Sequence, residues 1–211
     1  MNYNLTLVTP PATEPLSLAE VKPYLKIDDE TDDDIYISSL ITVAREYCEE
    51  YQHRAYITQT WEIGLPGFPY SSSNPLNGDK RGSIIEIPKG KLQKINSITY
   101  KDTTGVVTTL TPEVDYAVSN RGILGRVCPP FGKIFPLVIL YPLDPVVISF
   151  TCGYGTTPDD VPTRVKQAMR LLIGHWHENR IVVNDIFRGV NPVELIFSVS
   201  ALLAQDKIVI V

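Results

Sequence analysis

The sequence predicts an α+β protein in which a small helical core domain is interrupted by an antiparallel β-rich insertion domain. Apolar residues recur at helical spacing before residue 57 and again after residue 156. The stretch between them is rich in β-branched and aromatic residues and is divided by Gly, Pro, Asn and Asp. No internal repeat is visible, and the order of helices, strands and helices indicates an interrupted domain. We expect the N-terminal part of the helical domain over 1–57, the β domain over 58–155, the rest of the helical domain over 156–190 and a C-terminal arm over 191–211.

Four segments carry helix signals. Ser17 and Glu20 have capping-box spacing and predict a short helix, which Pro23 shortens or kinks. Apolar residues at spacings of three and four predict a long helix over about 32–52, and its opening acidic residues suit the positive end of the helix dipole. A second apolar stripe predicts a helix over 162–180. The segment PVELIFSVSALLAQ predicts a further apolar helix, and the terminal KIVIV predicts a strand or an extended arm.

Six segments carry strand signals. They are TQTWEIGL, SIIEIPKG, INSITYKD, GVVTTL, DYAVS and PVVISFTCGYG. The segment KDTTGV predicts the turn of a hairpin. The polar stretch GFPYSSSNPLNGDKRG, between the first two strands, predicts a mobile loop.

Composition excludes several classes of protein. Apolar residues make up 44% and charged residues 20% of the chain, which is ordinary for a globular protein. The formal charge of −5 argues against a protein that grips phosphate backbones over a broad surface. The three cysteines form no CxxC or zinc pattern and indicate a reducing compartment. We expect a protein made in the cytoplasm, without a leader or a membrane partner.

The decapeptide LLIGHWHENR concentrates residues that could form a metal or catalytic site. His175 and His177 are two positions apart, so on a helix their side chains diverge by about 160° and cannot chelate one ion. His175 and Glu178 could share an ion, but two ligands are too few. We therefore expect Trp176 in the core, the polar residues at the rim, and neither a metal nor any other cofactor.

Three other segments resemble known binding or catalytic motifs only in part. The acidic run DDETDDD has Asp33 where a calcium loop needs Gly and Ser39 where it needs a bidentate Glu, so helix-start acids explain it better. Neither FGKI nor GYG continues as a phosphate-binding loop. No GxSxG motif marks a nucleophile, although a hydrolase whose catalytic triad assembles only in the fold stays open.

Lysines cluster in PKGKLQK. Lys89, Lys91 and Lys94 make the β domain locally basic, so contact with DNA is conceivable. A solvated strand edge protected by lysines explains the same residues without a ligand. Both interpretations stay open at this point.

Two blocks of the sequence resemble the head-tail connector proteins of tailed phages, also called adaptor or head-completion proteins. The first, residues 8–62, has a Pro-rich lead, the Leu18-Ala19-Glu20-x-Lys22-x-x-Leu25 helix, an acidic turn at 28–34, a long helix ending near Arg54, and Gln59-Thr60-Trp61. The second, residues 146–180, has a strand ending in Gly-Tyr-Gly and a helix that starts at Val-Pro and closes with His-Trp-x-x-Asn-Arg.

The resemblance implies a non-enzymatic structural protein of the virion neck. Members of this family form a ring, here of about twelve copies, beneath the portal. The implied partners are other copies of the chain, the portal protein, the next neck or tail-completion protein, and double-stranded DNA passing transiently through the channel. The alternatives are a non-catalytic binding module with a β platform and an undetected hydrolase.

Candidate residues follow from these expectations. We expect ring contacts from polar residues of the two long helices and their flanks: Arg45, Glu49, Arg54, Arg164, His177 and Arg180. We expect the apolar C-terminal docking arm to bind the portal through Leu195, Ile196, Phe197, Leu202, Leu203, Ile208 and Ile210. Any contact with DNA in the channel falls to Lys89, Lys91 and Lys94.

Overall fold

The computed structural model describes residues 3–27, 31–69, 83–180 and 192–208, without the side chains of residues 192–197. The elements in chain order are β1 (Asn4–Thr9), α1 (Leu18–Tyr24), α2 (Asp34–Gln52), β2 (Gln59–Leu65), β3 (Ile85–Ile87), β4 (Leu92–Lys101), β5 (Val107–Thr109), β6 (Ala117–Ser119), β7 (Gly125–Cys128), β8 (Val146–Cys152), α3 (Thr163–Glu178) and α4 (Pro192–Ala204). The predicted α+β class is confirmed.

The chain divides into two compact units. The β unit comprises Met1–Pro10 and Thr58–Gly153, and the helical unit comprises Pro11–Ile57 and Tyr154–Val211. We expected the first ten residues in the helical domain, and that expectation is wrong. Strand β1 pairs antiparallel with β2, from Asn4 opposite Gly64 to Thr9 opposite Thr60, and therefore belongs to the β unit. The polar stretch predicted as a mobile loop lies largely outside the described residues, since 70–82 are not among them.

The β unit contains two antiparallel sheets. The larger sheet has the strand order β1-β2-β8-β4-β5 and the smaller one β3-β7-β6. Strand β8 lies at the centre of the larger sheet, and its alternate residues Val146, Ile148 and Phe150 are fully buried. This burial explains the dense β-branched and aromatic signal of PVVISF.

The predicted hairpin turn at KDTTGV is confirmed between β4 and β5. The Asp102 carboxylate accepts hydrogen bonds from the Thr104 hydroxyl at 2.6 Å and from the backbone N–H groups of Thr104 and Val106 at 2.8 and 3.0 Å. The Thr104 hydroxyl bond, followed by the backbone bonds, lowers the pKa of Asp102. Gly105 adopts φ +88°, which only glycine takes up without strain.

Gly125 allows the smaller sheet to approach β4. A Cβ atom on Gly125 would lie 2.3 Å from Leu92 Cδ2 and 2.6 Å from Leu92 Cβ. We expect Gly125→Ala to destabilise the protein by about 1–3 kcal/mol, because the added methyl overfills this contact. The matched control is Gly67→Ala, whose added carbon meets, among the described residues, Leu140 Cδ1 alone at 3.7 Å, an ordinary contact distance. Urea unfolding of both variants measures the difference in their free energies of unfolding. Equal urea midpoints for the two variants would show that Leu92 moves aside at little cost.

The helical unit is built around α2 and α3. Their inward residues form one cluster with α1 and α4, centred on Ile37, Ala44, Val165, Met169 and Leu203. The predicted long helices are confirmed, with observed bounds of Asp34–Gln52 and Thr163–Glu178.

The predicted capping box at the start of α1 is also confirmed. The Ser17 backbone N–H donates to Glu20 at 2.9 Å, and the Glu20 N–H donates to the Ser17 hydroxyl at 3.3 Å. The bond from the Ser17 backbone is the main cause that lowers the pKa of Glu20. Pro23 lies inside α1, which ends one residue later at Tyr24.

Candidate interaction surfaces

The two histidines of HWHENR contact different residues. His177 Nε2 lies 3.7 Å from the Asp33 carboxylate, whereas His175 Nδ1 lies 3.3 Å from the Asn179 side-chain nitrogen. Trp176 lies between them in sequence, packs against the helical core and meets the Tyr47 ring edge-on at 6.2 Å. Across the residues that the structure describes, no group of three or more His, Cys, Asp or Glu could hold a metal ion.

A charged cluster forms where α3 ends beside the start of α2. Arg180 donates a hydrogen bond to the Asp33 carboxylate, and its guanidinium lies 4.7 Å above the centre of the Tyr36 ring. The bond from Arg180 lowers the pKa of Asp33. We name Asp33, Tyr36, His177 and Arg180 the α2–α3 charged cluster. About half of the Arg180 side chain is exposed, so this cluster has both charge and access for a neighbouring molecule.

Arg45 and Glu49 lie inside the helical unit. Arg45 Nη1 donates to Glu49 Oε2 and Arg45 Nε donates to Glu14 Oε2, both at 2.8 Å. The other Glu49 oxygen accepts the backbone N–H of Tyr56 at 2.7 Å. Both α2 residues are buried, so their polar atoms are used within the subunit. We therefore reassign Arg45 and Glu49 from the ring interface to the interior.

Arg54 and Arg164 hold the chain that follows α4. Arg54, which is buried, donates from Nε to the Asp206 carbonyl at 2.7 Å, and Arg164 forms an ion pair with the Asp206 carboxylate. The Arg54 guanidinium also lies 5.9 Å from the centre of the Tyr154 ring. Arg54 is thus reassigned to the interior as well, whereas Arg164 keeps partial exposure.

The C-terminal segment packs on its own unit. Gln52 donates from its side chain to the Leu203 carbonyl at 2.5 Å, and its own carbonyl accepts the Ile208 N–H at 3.0 Å. Leu203 and Ile208 are buried and Leu202 is partly buried, so the first two are not available as portal-docking side chains. The side chains of Leu195, Ile196 and Phe197, and all of Ile210, lie outside the described residues.

The lysine cluster stands at the start of β4. Lys91 and Lys94 are exposed, and the Lys89 ammonium lies 4.7 Å above the centre of the Trp61 ring. Within the described chain β5 pairs only with residues 99–101 of β4, so the earlier half of this strand forms part of a sheet edge. Lysines at an edge discourage unwanted pairing. Contact with DNA stays a prediction.

One surface was not anticipated from the sequence. Between β7 and β8 the β unit exposes a run of large apolar side chains, with Leu137, Ile139 and Leu143 exposed by 69%, 80% and 79%. The available signal was IFPLVILYPL, ten residues without a charge at 134–143. Exposed apolar patches of this kind mark interaction sites.

None of the helices that the structure describes is long and apolar enough to cross a bilayer.

Comparison with known proteins finds one family and several similar folds. Residues 15–108 match the model of the phage gp6-like head-tail connector proteins, which confirms the resemblance of the first sequence block, whereas the second block at 146–180 lies outside this match. A sequence search of curated proteins finds no match. A chain in the neck of an empty gene transfer agent (GTA) particle, computed with C6 symmetry, shares 21% identity at a TM-score of 0.75, covering 99% of this chain and 97% of that one.

Two further structures agree with this similarity. A chain in the virion of the native GTA particle gives a TM-score of 0.73 at 20% identity, covering 98% of this chain and 96% of that one. A chain in the native GTA neck, computed with C12 symmetry, gives 0.71 at 20% identity, covering 100% and 97%. At these identities the likeness establishes the fold alone.

Proposed function

Because residues 15–108 match the phage gp6-like head-tail connector family, we propose that this chain is a structural protein of the virion neck that joins the head to the tail. The observation that carries the proposal is the combination of that match with a fold shared, over 99% of the chain, with a component of a particle neck. The proposed location is the neck at the portal vertex, after synthesis in the host cytoplasm.

The proposed assembly is a closed ring of about twelve subunits. The C6 and C12 symmetries of the similar necks are both compatible with twelve copies. A closed ring needs a heterologous interface, in which one surface of each subunit meets a different surface of the next. Of the residues first selected, His177 and Arg180 of the α2–α3 charged cluster and the partly exposed Arg164 remain as polar candidates for this interface.

The proposed partners are the portal protein on one side of the ring and the next neck or tail-completion protein on the other. Double-stranded DNA would pass through the ring without being held. The net charge of −5 suits this task, because a channel wall that bound phosphates strongly would retard the genome. We propose no catalytic role, in keeping with the structural nature of the family, and no observation favours a hydrolase or a free-standing binding module.

Electron micrographs of the purified chain, alone and mixed with the portal protein of its own phage, test this function. We expect closed rings in one or both samples, with the ring seated coaxially on the portal in the mixture. The portal alone is the control, because its own ring must be subtracted. A chain that stays monomeric both with and without the portal protein would contradict the proposal. A chain that is monomeric without the portal but forms rings on it would agree with the proposal, because the portal would then act as a template.

A further inference from the structure

The uncharged run at 134–143, which we name the apolar segment, presents backbone as well as side chains. Within the described chain, no backbone hydrogen bond joins residues 134–138 to another residue, whereas Leu140 forms an isolated antiparallel bridge with Asp102 and Tyr141 N–H donates to the Lys101 carbonyl at 3.0 Å. One edge of the segment is thus paired near Leu140, and the opposite edge is the one that a further strand can join. Phe135 anchors the segment, since it is buried and stacks on Phe68 at 4.8 Å. The anchored segment thus leaves Leu137, Val138 and Ile139 exposed, with β-branched residues suited to a strand.

The same unit carries a sheet edge without charged side chains. Strand β1 is the outermost strand of the larger sheet, and Leu7 and Val8 are both exposed. Proteins usually protect such an edge with charges, with a bulge or by keeping the strand very short. The pairing of β1 with β2 shifts register between Leu7 and Thr9, so the regular part of this edge is residues 4–7. The opposite edge strand, β5, has only three residues. By contrast β1 has six, and no charged side chain occurs from Tyr3 to Thr13.

These two features are complementary. Among the described residues, the apolar segment has no strand partner on the edge opposite Asp102, and β1 has none on the edge opposite β2, so one can add to the other as a strand. Neither carries a charge, so their contact would bury no unpaired charged group. Both belong to the β unit, and Asn4 in β1 donates to the carboxylate of Asp144, directly after the segment, at 2.7 Å.

We propose that the apolar segment of one subunit pairs, through residues 137–140, with the β1 edge of the next copy of the chain. This inference rests on the proposed function, because it describes how neighbouring subunits of the ring join. The contact is heterologous, since the segment and the edge are different surfaces of the same chain. Repeated around an axis, it produces a closed ring with every segment and every edge occupied.

Pairwise cross-linking tests this contact. Leu7→Cys and Ile139→Cys are introduced singly and together in the full chain, in a Cys128→Ser background. Cys48 and Cys152 are buried and stay unreactive, whereas Cys128 is only partly buried. Rings, assembled with portal where it is required, are treated with a short bis-maleimide and separated on denaturing gels. We expect the double variant to give a ladder of dimer, trimer and higher multiples, and each single variant to stay monomeric.

The matched control moves one cysteine to a different exposed position of the β unit. Glu86 in β3 has a side chain that is 55% exposed, so Glu86→Cys combined with Leu7→Cys should give no ladder. If rings form but the test pair gives no ladder, or one no stronger than the control pair, the inference is wrong and the connector role stands. Cross-linking of Ile139→Cys to the portal instead would also overturn it. If the unmodified chain forms no ring with or without portal, the proposed function fails, and the inference fails with it.

Discussion

Replacing Glu49 by Ala should destabilise the helical unit by about 3–5 kcal/mol, the usual effect of leaving one partner of a buried ion pair alone. Burial by itself lowers the pKa of Arg45, but Glu49 and Glu14 together raise it above its usual range, so the guanidinium keeps its charge. The substitution also removes the acceptor of the Tyr56 N–H. Urea unfolding followed by the fluorescence of Trp176, in a Trp61→Phe background, measures the loss in this unit.

Glu46→Ala is the matched control for this prediction. Glu46 lies on the same helix and approaches the same guanidinium at 3.4 Å, but its side chain is 63% exposed. An exposed pair contributes up to about 1 kcal/mol, so the midpoint should move little. If both variants lose the same free energy of unfolding, the buried pair is not what holds this region together.

Leu203→Ala should also cost several kcal/mol, about 2–5 for a leucine that is fully buried. Leu203 is completely inaccessible and packs in the helical core. Leu202, its neighbour in α4, is only partly buried, so Leu202→Ala should cost less. The same urea titration compares the two variants.

This result also decides the role of the C-terminal arm. A large loss at Leu203 means that deleting 192–211 would damage the fold, so the segment belongs to the core of its own subunit. An unchanged midpoint for Leu203→Ala would instead show that the segment is free to bind a partner such as the portal.

The helices and most strands could be predicted because their signals are local. Ser17 and Glu20 lie within one turn, and the apolar spacing of α2 and α3 needs no knowledge of the rest of the chain. The sequence patterns did not predict strands β1 and β7, for two different reasons. The partner of β1 lies more than fifty residues away in β2, whereas β7 is a four-residue strand that begins with Gly125 and offers little pattern.

The interface residues were harder to predict because exposure depends on distant partners. We predicted Arg45 and Arg54 to lie at the surface, since arginine is seldom buried unless it is paired. Their partners, Glu14 and the Asp206 carbonyl, are far away in sequence. Likewise an apolar run such as LIFSVSALL predicts burial without saying whether the subunit itself or another protein provides the covering surface.

The structure of the assembled neck tests the central claim most directly. An electron-microscopy reconstruction of heads that carry this chain should show a closed ring of its copies directly beneath the portal, coaxial with the DNA channel. Each copy should resolve as a β unit and a helical unit. A neck in which this chain is absent from the ring, or in which the ring is built entirely from other proteins, would contradict the account.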